Sequence, residues 1–110
     1  MARVFVVEAP TLDIRPASVW GEITVLFPSG VDELNPLDSE YYAGAVIAKL
    51  EEYGYDKVRD YICIVGSVTL IAVVLPALAL RFKTFKALLY NVTKGEYVVR
   101  NLGRWRGVYK

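Results

Sequence analysis

Residues suited to binding an anion stand where two apolar segments end. Gly66, Ser67 and Thr69 follow one such segment and begin an apolar helical one, and Ser29 and Gly30 close an earlier segment. Free backbone N–H groups at a helix N-terminus favour a phosphate. The pattern predicts a small anionic ligand, such as a nucleotide, at this edge. The chain has neither a G-x-G-x-x-G motif nor a Gly-Lys-Ser/Thr loop, and an ordinary helix cap is the simpler account of Ser67.

Acidic residues and the single cysteine are the other candidates for chemistry. Asp13 is a further predicted ligand-binding residue at this edge. With Glu8 or Asp32 it could form a carboxylate pair for acid–base chemistry or a divalent metal. Nothing in the spacing requires such a pair. The chain has no histidine, and Cys63 lies in an apolar segment where a thiol behaves as a small hydrophobe. We therefore predict no catalytic residue, no metal and no cofactor, and a protein that is not an enzyme.

The last residues offer a different kind of site. Arg104, Trp105, Arg106 and Lys110 alternate cations with aromatic rings, as binders of single-stranded nucleic acid do. Residues 61–110 carry 8 basic and 1 acidic side chains, against 5 and 11 in residues 1–60. A nucleic-acid-binding module is therefore the alternative function. A docking strand, an exposed tail or attraction between two subunits accounts for the same charges.

The elements that must position these residues follow from hydrophobic periodicity. Apolar β-branched runs predict strands, and Asn35-Pro36 before an apolar stripe with Gly54 after it predicts a helix. Thr93-Lys94-Gly95 between two apolar runs predicts a hairpin. The order predicts a small Rossmann-like three-layer α/β fold, with a mostly parallel sheet and an antiparallel C-terminal hairpin. The predicted strands are 4–7, 23–27, 60–65, 85–90 and 96–100, and the predicted helices are 36–53 and 68–82.

Length and composition limit the organisation of the chain. With 110 residues, 55% hydrophobic content and one cysteine, it suits one domain with a core and no disulfide framework. We predict a single α/β domain in residues 1–102 and a basic tail in 103–110. The segment after Met1 is too short for a secretory signal, which predicts a cytoplasmic protein.

Residues 61–80 form an uncharged stretch long enough to cross a membrane. A single-pass membrane protein is therefore a further alternative. We favour a strand and a helix instead, because Gly66-Ser67 is a turn followed by a helix cap and Pro76 would interrupt a continuous span.

The helix predicted at 68–82 implies a partner. No polar side chain lies between Thr69 and Arg81, and one sheet can cover only one side of a helix. We predict a homo-oligomer, most simply a dimer, joined through this helix. A host protein or a nucleotide would be a further partner, and a membrane is the disfavoured cover.

Several short motifs run in a characteristic order along most of residues 4–102. They are Asp13, Ala17, Trp20-Gly21, Asn35, Asp60-Tyr61-Ile62, Gly66, Leu88-Leu89-Tyr90 and Tyr97-Val98-Val99-Arg100. In the order of these motifs the chain resembles small α/β proteins of unknown function encoded by phages and archaeal viruses. The resemblance implies a compact α/β protein of viral or mobile-element origin and implies no activity. High Val and Tyr content also suits a thermophilic host.

Overall fold

Strands and helices alternate along the chain much as the hydrophobic pattern predicts. The computed structural model describes residues 1–8, 13–28, 39–66 and 68–104, without the side chains of Ser39 and Thr69. Its elements are β1 (Arg3–Glu8), a 3₁₀ helix (Arg15–Trp20), β2 (Glu22–Phe27), α1 (Ser39–Glu52), β3 (Tyr61–Cys63), α2 (Val68–Phe82), β4 (Thr84–Asn91) and β5 (Glu96–Gly103).

The five strands form one sheet in the order β2-β1-β3-β4-β5. The first four pair in parallel, and β4 pairs antiparallel with β5. This confirms the predicted α/β fold with a mostly parallel sheet and an antiparallel C-terminal hairpin. The connection after β1 leads to β2 on one side of β1, and the next connection leads back to β3 on its other side. Right-handed connections that run in opposite directions along a sheet lie on opposite faces of it. The 3₁₀ helix accordingly covers one face, and both α-helices cover the other.

The face under the α-helices carries the larger core. Phe5 and Ile62 are neighbours across β1 and β3 on this face. Both helices reach it through residues spaced by four, as one face of a helix must. This spacing gives each helix one buried stripe: Tyr42, Val46 and Leu50 on α1, and Leu70, Val74 and Leu78 on α2.

The opposite face is covered by less protein. Val4, Val6 and Cys63 pack there against Ala17 of the 3₁₀ helix, with Trp20 at the side. The third layer is therefore a helix of only six residues. The narrower prediction of a Rossmann-like three-layer fold stays a prediction.

The carboxyl end of α1 has the backbone that the sequence predicts. Gly54 has a φ of 71°, and its N–H donates to Glu51 O while that of Tyr55 donates to Leu50 O at 2.9 Å. This is the pattern that ends a helix at a glycine. The same conformation at Lys83, with a φ of 68°, ends α2.

Residues 61–80 are divided between β3 and α2 rather than forming one helix. In the described part of the chain, no helix is both long and apolar enough to span a membrane. β3 is shorter than the predicted strand 60–65. Before it, hydrogen bonds to the side chain of Asp60 hold the chain outside the sheet, and after it, Gly66 turns the chain away. Ile64 still donates its N–H to Leu88 O.

Candidate functional site

The predicted ligand edge lies at the carboxyl ends of β1 and β3. The connections from these two neighbouring strands leave on opposite faces of the sheet, which is where open α/β sheets form a binding crevice. Gly66 turns here with a φ of 125°, and a Cβ added to it would lie 3.5 Å from Glu8 Oε1. A carboxylate of the chain itself therefore stands beside the start of α2, where its charge would oppose a bound phosphate.

The predicted ligand residues are only partly within the described structure. Ser29, Gly30 and Ser67 lie outside the described residues, as does the side chain of Thr69. Asp13 is exposed and its carboxylate accepts bonds from Arg15 Nε at 3.0 Å and Nη2 at 2.9 Å. These bonds lower the pKa of Asp13. No contact described here joins Asp13 to Gly66, and the anionic-ligand site stays a prediction.

A shallow hollow of about 240 Å³, including open solvent, lies at the same edge under the first turns of α2. Its lining residues have apolar side chains except Cys63, whose thiol packs on the opposite face of the sheet, so the hollow offers little to orient a polar ligand. The lining residues are Val7, Cys63, Ile64, Val65, Leu70, Ile71, Val74 and Leu75.

Two buried polar side chains lie on the opposite face of the sheet. The Tyr97 hydroxyl has no hydrogen-bond partner in the described structure, and it lies near the Cys63 thiol. Burial, and next the neighbouring thiol, raise the pKa of Tyr97 to about 12. Burial raises the pKa of Cys63 to about 11, against the lowering influence of Tyr97. At neutral pH both groups are protonated, so this thiol is a poor nucleophile.

A buried carboxylate with hydrogen bonds from three different residues lies at the other end of the strands, directly before β3. Asp60 is fully buried, and its carboxylate accepts bonds from the backbone N–H of Arg3 at 3.0 Å and of Asp56 at 2.9 Å. Arg59 donates to both oxygens, at 2.8 and 2.9 Å. Burial alone would raise the pKa of Asp60, but the bonds from Arg59, Asp56 and Arg3 lower it to about 2.

The two arginines carry this network to the end of α1. Arg3 Nη2 donates to Gly54 O at 2.8 Å, and Arg59 Nη2 donates to the same oxygen at 3.3 Å. Asp60 therefore ties β1, β3 and the carboxyl end of α1 together. The sequence places Asp60 at the start of the predicted strand 60–65 and among the motif residues, and neither placement assigns it this role.

In the part of the chain that the structure describes, neither a metal site nor the predicted nucleic-acid site is assembled. Within the described ranges, no group of three Cys, Asp or Glu residues could hold a metal ion. Arg104 is exposed, and its backbone N–H donates to Lys83 O at 2.7 Å, which continues the line of β5. Trp105, Arg106 and Lys110 lie outside the described residues, so nucleic-acid binding stays a prediction.

The outward side of α2 is apolar along its whole length. Val68 is 83% exposed and Leu80 is 74% exposed, with exposed Ala72 and Pro76 between them. These four residues, spaced by four, are here called the outer stripe. The sequence predicted an uncovered side of this helix but could not give its phase, because a proline can bend a helix. The structure keeps one helical phase through Pro76.

Comparison with known proteins places the chain. A family model described as Phage Pam3 gp32-like protein matches residues 2–103. The chain belongs to this family. The Pam3 gp32-like match spans all five strands and both helices, and it confirms the predicted resemblance to small phage-encoded proteins. No curated protein and no solved structure matches the chain.

Proposed function

We propose that the protein is a non-enzymatic phage accessory protein that acts in the host cytoplasm as a homodimer, joined through the outer stripe of α2. Membership of the Pam3 gp32-like family supports the viral role. The exposed Val68 and Leu80 on an uncharged helix face carry the proposal of a dimer. A binding role rather than a catalytic one agrees with the protonated, buried state of Cys63.

A second copy suits this stripe better than an unrelated partner. An interface on a two-fold axis covers the same patch on both subunits at once, and it is the commonest arrangement in homo-oligomers. The stripe has no charge that would need an opposite charge on a different protein. Self-association therefore covers the apolar surface of the stripe on both copies without a further component.

The energetics indicate how much the stripe can contribute. Burying a Val or Leu side chain is worth about 1.5 to 3 kcal/mol. The four large side chains of two stripes therefore provide roughly 5 to 9 kcal/mol, because each is already partly covered. The loss of translational and rotational freedom costs about 4 to 15 kcal/mol. Because these two ranges overlap, contacts that flank the stripe decide how tightly two copies associate.

Two exposed valines allow a matched test. Val68→Glu places a charge on the stripe, whereas Val19→Glu makes the same change on the 3₁₀ helix, where Val19 is 81% exposed. Sedimentation equilibrium at micromolar concentration should give a dimer of 12.3 kDa chains for the native protein and for Val19→Glu. Val68→Glu should sediment as a folded monomer. A monomeric native protein would overturn the proposal.

A further inference from the structure

The two edges of the sheet differ in how their outer backbone groups are covered. The sheet ends with β2 on one side and β5 on the other. On β5, Trp20 Nε1 donates to Tyr97 O at 3.3 Å, and Arg100 Nη1 donates to Val99 O at 2.8 Å. Both carbonyls point away from β4 in the register of the hairpin. Side chains of the chain itself therefore cover part of this edge, as sheets that resist further pairing require.

The outer edge of β2 is apolar and has no such cover in the described part of the chain. The N–H of Glu22 donates to Ala2 O, on the side of β1. Backbone groups alternate in direction along a strand, so Ile23, Val25 and Phe27 direct their N–H and C=O groups away from β1. No described strand pairs with this side. The one charge of the strand is Glu22 at its start, and the strand contains no proline. Such an edge is a template for a further strand.

The sequence of β2 is complementary to itself when a second copy runs antiparallel about Val25. Val25 then faces Val25 of the second copy, and Ile23 faces Phe27 in both directions. These are the residues with outward backbone groups, so each facing pair exchanges both of its hydrogen bonds. Facing apolar side chains that are β-branched or aromatic stabilise such strand pairs. Between them, Thr24 faces Leu26, so no like charges meet along the pairing.

The geometry of this pairing closes after two copies. A two-fold axis perpendicular to the sheet makes the two strands antiparallel and keeps both helical layers on the same side of the joined sheet. Glu22 of each copy faces Pro28 of the other. The two Glu22 residues then stand at opposite ends of the pairing, about 20 Å apart along the strands. A second copy therefore satisfies the outward backbone groups of β2 without bringing its only charge against itself.

We infer that β2 pairs antiparallel with β2 of a second copy, centred on Val25, and joins two five-stranded sheets into one continuous sheet. This contact goes beyond the proposed dimer, because it uses β2 and not the outer stripe of α2. A pair of strands contributes little stability by itself in water. Pairing at β2 is therefore expected at concentrations well above micromolar, where it joins α2 dimers to one another.

Hydrogen exchange along β2, followed residue by residue by NMR, tests the pairing directly. The Val68→Glu variant is used, because it removes the α2 contact from the measurement. The amides of Thr24 and Leu26 point to β1 and should exchange slowly at every concentration. Those of Ile23 and Val25 should exchange fast in dilute protein and several-fold more slowly in concentrated protein. This alternation along one strand distinguishes pairing at the edge from a general change in stability.

A proline at the centre of the edge provides an independent measurement. Val25→Pro removes the outward N–H and so both hydrogen bonds of the central pair, while an edge strand accepts a proline whose N–H position faces away from the sheet. In the same Val68→Glu background, sedimentation over a concentration series should show a dissociation constant raised about tenfold or more. Val25→Ala is the matched control, because it shortens the side chain and keeps the N–H. Its dissociation constant should change less.

Protection of Ile23 and Val25 that develops only with concentration supports the pairing. Slow exchange of both amides in dilute protein would mean that the chain covers its own edge, and fast exchange at every concentration would mean that no strand is added. Either result overturns the β2 contact, as does an equal weakening by the alanine and proline variants. None of these results bears on the α2 dimer. A native protein that is monomeric at micromolar concentration overturns the α2 dimer alone, because the β2 contact is measured without it.

Discussion

The carboxylates at the two ends of the parallel strands differ in burial and in their partners. At the amino ends, Asp60 is buried and accepts bonds from Arg3, Asp56 and Arg59. At the carboxyl ends, Asp13 is exposed and bonded to its neighbour Arg15. A buried carboxylate with every partner in place fixes the relative position of the elements that supply those partners. The charge at the amino ends therefore anchors the fold, whereas the described charge of Asp13 at the carboxyl ends lies on the surface.

The largest effect on stability is expected when the Asp60 carboxylate is removed. Asp60→Ala leaves the backbone N–H groups of Arg3 and Asp56 without their acceptor and removes the carboxylate that Arg59 binds, so the free energy of unfolding should fall by about 3 to 5 kcal/mol. Urea denaturation followed by circular dichroism measures the change. A loss below about 1 kcal/mol would mean that the Asp60 network does not hold β1, β3 and α1 together.

Acid should act on the same end of the sheet. The pKa of Asp60 is about 2 in the folded protein and 3.8 for an ordinary aspartate, so folding is favoured by the ionised form. The contribution, of about 2 kcal/mol, is complete above about pH 4 and is lost as the pH falls towards 2. Urea midpoints between pH 5 and pH 2 should show this fall. It should be smaller in Asp60→Asn, and an equal fall in that variant would assign the acid sensitivity to other groups.

The buried hydroxyl near the carboxyl ends should matter less. Tyr97→Phe removes a group without a described hydrogen-bond partner and keeps the ring that packs against Tyr90 at 5.2 Å. The free energy of unfolding should change by less than about 1 kcal/mol, and an increase is the expected sign. Thermal and urea unfolding of the variant measure it. A loss of about 2 kcal/mol would show that the hydroxyl is bonded in solution.

The exposed carboxylate should have the smallest effect. Asp13→Asn breaks a surface ion pair with Arg15, and such solvent-screened pairs contribute little to stability. Its unfolding midpoint should match that of the native protein, and it serves as the matched control for Asp60→Ala. A strong destabilisation here would remove the distinction between the two ends of the strands.

Much of the fold was predictable because it depends on periodicity. The bounds of α2 are as predicted, since an apolar run that follows a glycine turn and ends in Arg81 and Phe82 has few other solutions. The hairpin of β4 and β5 follows from the turn around Gly95, whose φ is 66°. The order of the strands was less accessible, because pairing between distant segments leaves no local pattern.

The candidate sites were less predictable for physical reasons. A buried aspartate such as Asp60 is rare, and its acceptor role depends on donors from Arg3, which lies 57 residues away in the sequence. The phase of the outer stripe depends on which side of α2 faces the sheet. The ligand edge was predicted from the general rule that α/β sheets bind ligands at the carboxyl ends of their strands. This rule does not predict that the carboxylate of Glu8 lies beside Gly66.

The central place of β1 has a consequence for synthesis of the chain. β1 is made first, yet it lies between β2 and β3, and β3 ends only at Cys63. At about 5 to 20 residues per second, the ribosome needs roughly 3 to 11 s to pass from Glu8 to Cys63. For that interval the fully buried Val4, Phe5 and Val6 have no completed sheet to join. One edge of β1 therefore stays uncovered during synthesis until β3 has been made.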